Sequence, residues 1–194
     1  MKSTVFIATS LDGFIARPNG AIDWLPSDDP ASPDTPGVEE HGYEALMNSV
    51  DALVMGRNTF ELVLTFDPWP YGTKSVIVLT SRPLVLPPHL PNTVEQLNLP
   101  PAALLDELTR RGMHHVYIDG GVTIQRFLAA GLIDKLIITR IPVFLGAGIP
   151  LFGPLPQDIR LHHVSTRSFA SGLVQSEYLV IQSQITPPQS LSEA

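Results

Sequence analysis

Five short apolar runs, rich in Val, Ile and Leu, recur along this chain with helix-patterned segments between them. They are Thr4–Thr9, Ala52–Met55, Ser75–Thr80, His115–Ile118 and Lys135–Ile141. Each has the length of a buried strand, and parallel neighbours need a crossover between them, usually a helix. The intervening segments qualify. Val38 to Ser49 sets Val38, Tyr43, Leu46 and Met47 on one side, and Thr59 to Leu64 resumes the pattern. Pro101 to Arg111 has proline near its start and Gly112 just past its end, and Thr123 to Ala130 stops at Gly131. Two late strands, around Ile159–Ser165 and Leu173–Ile181, read as an antiparallel pair with a turn at Gly172. The fold class that follows is α/β: a mostly parallel central sheet, helices on both faces, and an antiparallel C-terminal strand pair. One domain over residues 1–185 is expected, with a flexible tail over 186–194.

The segment from Arg17 to Gly37 carries five prolines and reads as a long loop. Such loops serve as lids or binding loops, and Ser27–Pro36 reads equally as a solvated excursion. Composition narrows the function classes. The chain has 194 residues, 44% of them hydrophobic, enough for a sizeable core. Its 12 Lys+Arg against 19 Asp+Glu give a net charge of −7, which disfavours nucleic acid or an anionic membrane as the main partner. Zero cysteines exclude disulfides, thiolate zinc sites and cysteine nucleophiles. No apolar run approaches the ~18 residues of a membrane span. The N-terminal apolar stretch is broken early by Asp12 and Gly13, unlike a signal peptide, so the expected compartment is the cytoplasm.

In α/β sheets ligands bind beyond the carboxyl ends of strands. The residues at those positions are Ser10-Leu11-Asp12-Gly13, Gly56-Arg57-Asn58-Thr59, Thr80-Ser81-Arg82 and Asp119-Gly120-Gly121-Val122-Thr123. Gly56 and the Gly120-Gly121 pair allow close approach of backbone to a ligand. Helix starts present free N–H groups, Thr59 and Thr123 add hydroxyls, and Arg57 adds charge. Two such starts suit a pyrophosphate, and Ser81 with Arg82 suits a further phosphate, since a guanidinium forks onto phosphate oxygens. The conjunction points to a dinucleotide with a ribose 2′-phosphate, NADP(H). Gly146-Ala147-Gly148 is set aside, because Pro150 follows and no helix opens there.

These motifs resemble those of a known group. Ser10–Ala16, Val54–Glu61, Leu79–Arg82, and the run from Ile118–Gly121 through Gly131–Leu136 to Pro142–Phe152 lie in order across roughly residues 4–180. Together they resemble a dihydrofolate-reductase-fold protein of the riboflavin-biosynthesis reductase group, the RibD C-terminal-domain-like family. The resemblance implies NADPH as reductant and a homodimer. It implies that Ala8 and Ile15 border the nicotinamide, and that Gly56, Arg57, Asn58 and Thr59 hold the pyrophosphate together with Gly120, Gly121, Val122, Thr123 and Ile124. Thr80, Ser81 and Arg82 would hold the 2′-phosphate. The reference chemistry is reduction of 5-amino-6-(5-phosphoribosylamino)uracil. Dihydrofolate reduction, or an NADP(H)-binding module without catalysis, are the alternatives. The deaminase half of the bifunctional enzyme is absent, and without cysteine its zinc pattern cannot form.

Hydride transfer also needs a proton, and three carboxylates are candidates for its source. Asp12 follows the first strand, where it reads equally as a turn-former. Asp119 precedes the glycine pair, where it reads equally as a helix cap. Glu40, placed on the helix before the second strand, matches the spacing of the substrate carboxylate in dihydrofolate reductases, although a solvated helix-start residue explains it as well. Trp24 is placed to stack on a flat heterocyclic substrate, or to anchor the long loop. His114 and His115 point to opposite faces of a strand, so no metal site is expected from them.

Overall fold

Lys2–Ser10 forms β1 and Phe14–Ala16 forms β2; the chain then continues through α1 (Tyr43–Ser49), β3 (Ala52–Gly56), α2 (Arg57–Val63) and β4 (Ser75–Leu79). Next come β5 (Val94–Leu97), α3 (Pro101–Arg110), β6 (His115–Asp119), α4 (Gly121–Ala129) and β7 (Lys135–Ile141), followed by β8 (Ile149–Pro150), β9 (Arg160–Ser168) and β10 (Val174–Ile181). The structure is a computed structural model and describes residues 1–26 and 40–181. The 186–194 tail, the Ser27–Pro36 stretch and Val38 lie outside the described residues.

Eight strands form one sheet in the order β5-β4-β3-β6-β1-β7-β10-β9. The pairs from β5 through β7 are parallel, and β10 runs antiparallel to both β7 and β9. β2 and β8 make a separate two-stranded ribbon.

Alternation along the strands builds two cores. Val5 of β1 and Val116 and Ile118 of β6 face α3 and α4, where they meet Leu104, Leu108, Ile124 and Phe127. Phe6 and Tyr117 face α1 and α2, among Leu46, Phe60 and Val63. Phe60 and Phe127 are fully buried and hold α2 and α4 to opposite faces. Truncating either to Ala would cost about 3–5 kcal/mol.

Helix ends follow their local chemistry. Pro101 opens α3, and Gly112, at φ 83°, closes it, with Met113 N donating to Leu108 O and Gly112 N to Thr109 O. α1 begins only at Tyr43, because Gly42 sits at φ 87° and its N–H is taken by the Glu40 carboxylate at 2.8 Å. Glu40 therefore precedes the helix rather than lying on it.

Three strands were not anticipated. β5, Val94-Glu95-Gln96-Leu97, has two apolar residues and gains its structure by pairing with β4. β2 and β8 are three and two residues long, too short to leave a pattern, and exist through each other.

Candidate active site

A cleft of about 960 Å³ opens along the carboxyl ends of β1, β3, β4 and β6. The starts of α2 and α4 meet at its centre. A Cβ on Gly56 would lie 3.1 Å from Thr123 Oγ1, and one on Gly120, where φ is +85°, would overlap the Thr59 hydroxyl. Each helix start thus accepts the other's threonine where its own side chain would be. A Cβ on Gly121 would meet Ile15 Cδ1 at 2.8 Å. These glycines leave a groove with backbone on its floor.

From that centre one arm runs toward β4 and β5. Leu79, Thr80, Ser81, Leu97 and Pro100 line it, with Arg126 contributed by α4. Arg57 ties it together: Nε pairs with Glu61 at 2.7 Å, and Nη1 donates to the carbonyls of Arg82 (3.3 Å) and Pro83 (3.2 Å). Gln96 of β5 donates to the carbonyls of Thr80 (3.1 Å) and Arg82 (3.0 Å), fixing the same loop from the other side. Arg82, next to Ser81, is exposed. Arg57 and Arg126 line the arm, and Arg82 lies in the loop at its edge.

The second arm opens on the face that carries α1 and α2. Ala8 lies two residues beyond Phe6 and Asp119 two beyond Tyr117, so alternation puts both on this face. Its walls are Leu62, Val63, Phe66 and Tyr71. Phe66 is 41% exposed there. Ile15, Asn19, Ile22 and Leu25 close the outer side.

Asp119 is the carboxylate of this arm. It accepts one hydrogen bond, from Gly120 N at 2.7 Å. Loss of solvent around it outweighs that bond and pushes its pKa up to about 6. Burial also raises the phenols of Tyr43, to about 12, and of Tyr71 and Tyr117, with the Asp119 charge adding to each. Tyr117 donates to Phe6 O at 2.7 Å.

The structure brings together Ala8, Ile15, Gly56, Arg57, Asn58, Thr59, Thr80, Ser81, Asp119, Gly120, Gly121, Val122 and Thr123 around one cleft. It places four other expected residues outside the cleft lining. Asp12 is exposed and lies outside the cleft lining; its carboxylate accepts from Ser10 Oγ (2.6 Å), Gly146 N (2.8 Å) and Leu145 N (3.2 Å), and these bonds lower its pKa. Glu40 is exposed and bound to Gly42 N, also outside the cleft. Trp24 is half-buried, and its neighbours Ile22 and Leu25 line the cleft in its place. Ile124 is fully buried in the α3/α4 core, with its N–H bonded to Gly120 O, and has nothing to offer a ligand. Sequence reasoning missed Arg126, although it lies one turn after Val122 on α4, and it missed the wall from Leu62 to Tyr71.

Comparison with known proteins agrees with this architecture. The RibD C-terminal domain family model matches residues 2–175. The chain belongs to the RibD C-terminal domain family. A family relative, the uncharacterized protein YwjB of Bacillus subtilis (strain 168), is 34% identical over 180 residues, covering 92% of this chain and 97% of its own length. A solved structure from Shewanella sp. PV-4, named for riboflavin biosynthesis, is 39% identical with a TM-score of 0.82, covering 94% of this chain and all of its own. Dihydrofolate reductase from Enterococcus faecalis, complexed with NADP(H), shares the fold at 18% identity and a TM-score of 0.60, covering 93% of this chain and 97% of its own. Membership of the RibD C-terminal domain family supports a reductase-like role of the riboflavin-biosynthesis type. Among the described residues no helix is long and apolar enough to cross a membrane.

Proposed function

We propose that this protein is an NADPH-dependent reductase acting by hydride transfer on a small, flat heterocycle of the aminouracil type. One observation carries the reading: two glycine-opened helix starts, interlocked through Thr59 and Thr123, stand between an arginine-lined arm and an arm with a raised carboxyl, Asp119.

The residues fit a bound NADPH. The space that a Cβ on Gly56, Gly120 or Gly121 would fill lets a pyrophosphate approach the backbone, and α4 points its first N–H groups there. Thr80, Ser81 and Arg82 would take the 2′-phosphate, and Ala8 and Ile15 would wall the nicotinamide. When bound, the cofactor supplies a hydride.

The chain's own part is to hold the acceptor ring against that wall, exclude water and deliver a proton. Leu62, Phe66 and Tyr71 offer apolar surface for a flat ring. Asp119, protonated over part of the neutral range, would donate its proton to the nitrogen of the C=N bond whose carbon receives hydride, which in a ribosylaminouracil is the open-chain imine between the exocyclic nitrogen and C1′ of the sugar. A carboxyl with one hydrogen bond and little water is suited to that exchange; one saturated by donors, like Asp12, is not. Glu40 and Trp24, the two residues that favoured dihydrofolate, are both outside the cleft lining, which supports the aminouracil reading over it.

The proposal extends to a homodimer. β9 is an edge strand with all nine residues exposed, and Leu161, Val164, Leu179 and Ile181 are apolar and open on β9 and β10. An uncovered edge of this kind suits a second copy. Sedimentation equilibrium tests it: a mass of one chain at micromolar concentration would refute it.

NADPH titration, read by cofactor fluorescence, followed by absorbance at 340 nm with a panel of aminouracils and pterins, tests the main reading. Binding with oxidation supports the enzyme. Binding without turnover on any panel member leaves a binding module, and no binding overturns the reading.

A further inference from the structure

The charge of the substrate can be read by counting cations. The chain has 12 Lys and Arg, and every one falls among the described residues, because neither 27–39 nor 182–194 contains either residue. Segment 27–39, next to the cleft loop in sequence, instead carries Asp28, Asp29, Asp34 and Glu39.

Three cations, Arg57, Arg82 and Arg126, stand in or beside the β4/β5 arm. The other nine are placed elsewhere. Arg17 pairs with Asp23 at 2.6 Å, Lys74 donates to Val50 O at 2.9 Å, and Arg110 and Arg111 pair with Glu107 on α3. Lys135 pairs with Glu177 at 2.6 Å and lines, with Lys2 and Arg167, a separate cavity of about 270 Å³. Arg167 is further held there by Gln175 Oε1 at 2.8 Å. Arg140 alternates with Ile138 and Leu136, which puts it on the α3/α4 face, away from the second arm. Arg160 opens β9, on the far edge of the sheet.

Among the described residues, the arm walled by Leu62, Val63, Phe66 and Tyr71 therefore contains no cation; Asp119 is its carboxyl, while Glu61, next to Leu62, is taken up by Arg57. A phosphate dianion placed there would lose water, gain no guanidinium or ammonium, and face a carboxylate. NADPH, by contrast, would set its pyrophosphate at the helix starts in the centre of the cleft and its 2′-phosphate in the arm that holds the arginines.

On the reading of the cleft proposed above, we infer that the substrate of this protein is an unphosphorylated heterocycle, neutral or cationic, and not the phosphoribosyl compound of the reference riboflavin reaction. The arm selects against a phosphate as firmly as the other arm selects for one. The same count disfavours a dicarboxylate such as dihydrofolate.

The test uses a matched pair, 5-amino-6-(ribosylamino)uracil and its 5′-phosphate, with NADPH oxidation followed at 340 nm. The sugar compound should show kcat/KM at least about tenfold above its phosphate, the cost of one unmade charged contact. Equal or higher kcat/KM for the phosphate overturns the inference. If neither is turned over, both are titrated into the NADP⁺-bound protein by tryptophan fluorescence. Tighter binding of the unphosphorylated partner then supports the inference; equal binding, tighter phosphate binding or no binding of either overturns it. In a Phe66→Arg variant, a cation placed in the arm should narrow or reverse the preference, and an unchanged ratio also overturns the inference. NADPH binding, measured first, keeps this outcome separate: its loss would sink the reductase reading itself, whereas bound NADPH with a preferred phosphate sinks only the inference about substrate charge.

Discussion

Asp119 ends β6 and Asp12 lies two residues past the end of β1, its parallel neighbour. Each is followed by a glycine in the left-handed half of backbone space, Gly13 at φ 86° and Gly120 at φ 85°. Their chemistry nonetheless diverges. Asp12 collects donors from Ser10, Leu145 and Gly146 at the exposed surface, and its pKa falls. Asp119 collects one donor from its own neighbour in a desolvated site, and its pKa rises to about 6. The number of donors and the loss of water, not the Asp-Gly sequence, decide which carboxylate is a clamp and which is an acid.

The largest expected effect is on Asp119. Asp119→Asn removes the proton donor and should lower kcat by about 10²–10⁴-fold, with NADPH binding retained. In the parent enzyme kcat/KM should fall tenfold per unit as pH rises above about 6, and this limb should be missing from the residual activity of the variant. A parent profile flat from pH 5 to 8 would return the choice of acid to the other carboxylates. Arg82→Ala comes next: NADPH affinity should drop about 10–100-fold and NADH affinity little, because only the former carries the 2′-phosphate. Equal losses would show that Arg82 does not read that group.

Stability should separate the two aspartates by sign. A raised carboxyl destabilises the fold once it ionises, so Asp119→Asn should be more stable than the parent at pH 8, by on the order of 2–3 kcal/mol. That gain should shrink as pH falls through about 6 and vanish below the ordinary carboxylate value of 3.8. A lowered carboxyl contributes stability above its ordinary value and loses it in acid, so Asp12→Asn should be less stable than the parent at pH 7, with the gap closing in acid. Urea melts at pH 8 and pH 4 read the Asp119 gain, whose window lies between about 6 and 3.8, and melts carried below pH 3.8 read the closing of the Asp12 gap; shifts of the same sign at pH 8 would break the comparison. The smallest effect belongs to Ser10→Ala, which removes the largest of the contacts holding the Asp12 pKa down. The Asp12 carboxyl should titrate higher by NMR, with turnover unchanged.

Much of the fold was legible in the sequence because strands buried on both faces cannot hide their apolar runs. β7 matches its expected span residue for residue, and Gly112 and Gly131 mark the turns where helices stop. The cofactor arm was legible for a related reason: a glycine needed for backbone approach leaves a mark that no other residue can make. The carboxylates were not separable, because two of the three donors of Asp12 come from residues 145–146, more than 130 positions away. The Leu62–Tyr71 wall also went unread, since an apolar residue lining a cleft has the same sequence signature as one in a core. α1 was expected several residues too early, because nothing in the apolar spacing reveals that Gly42 holds a backbone conformation that starts a helix there.

The β2–β8 ribbon has a consequence for how the halves of the cleft move. Ile15 and Pro150, one from each of its strands, lie against Gly121, while Gln125 of α4 donates to the carbonyls of Pro150 and Leu151, each at 3.2 Å. Asp12, just before β2, also holds the chain leading into β8 through residues 145 and 146. The wall beside Ile15 and the first turn of α4 are thereby one mechanical part, so a displacement at either must be transmitted to the other. A single methyl at position 121 would act as a wedge at the joint, spoiling alignment for reaction while leaving every charged group in place.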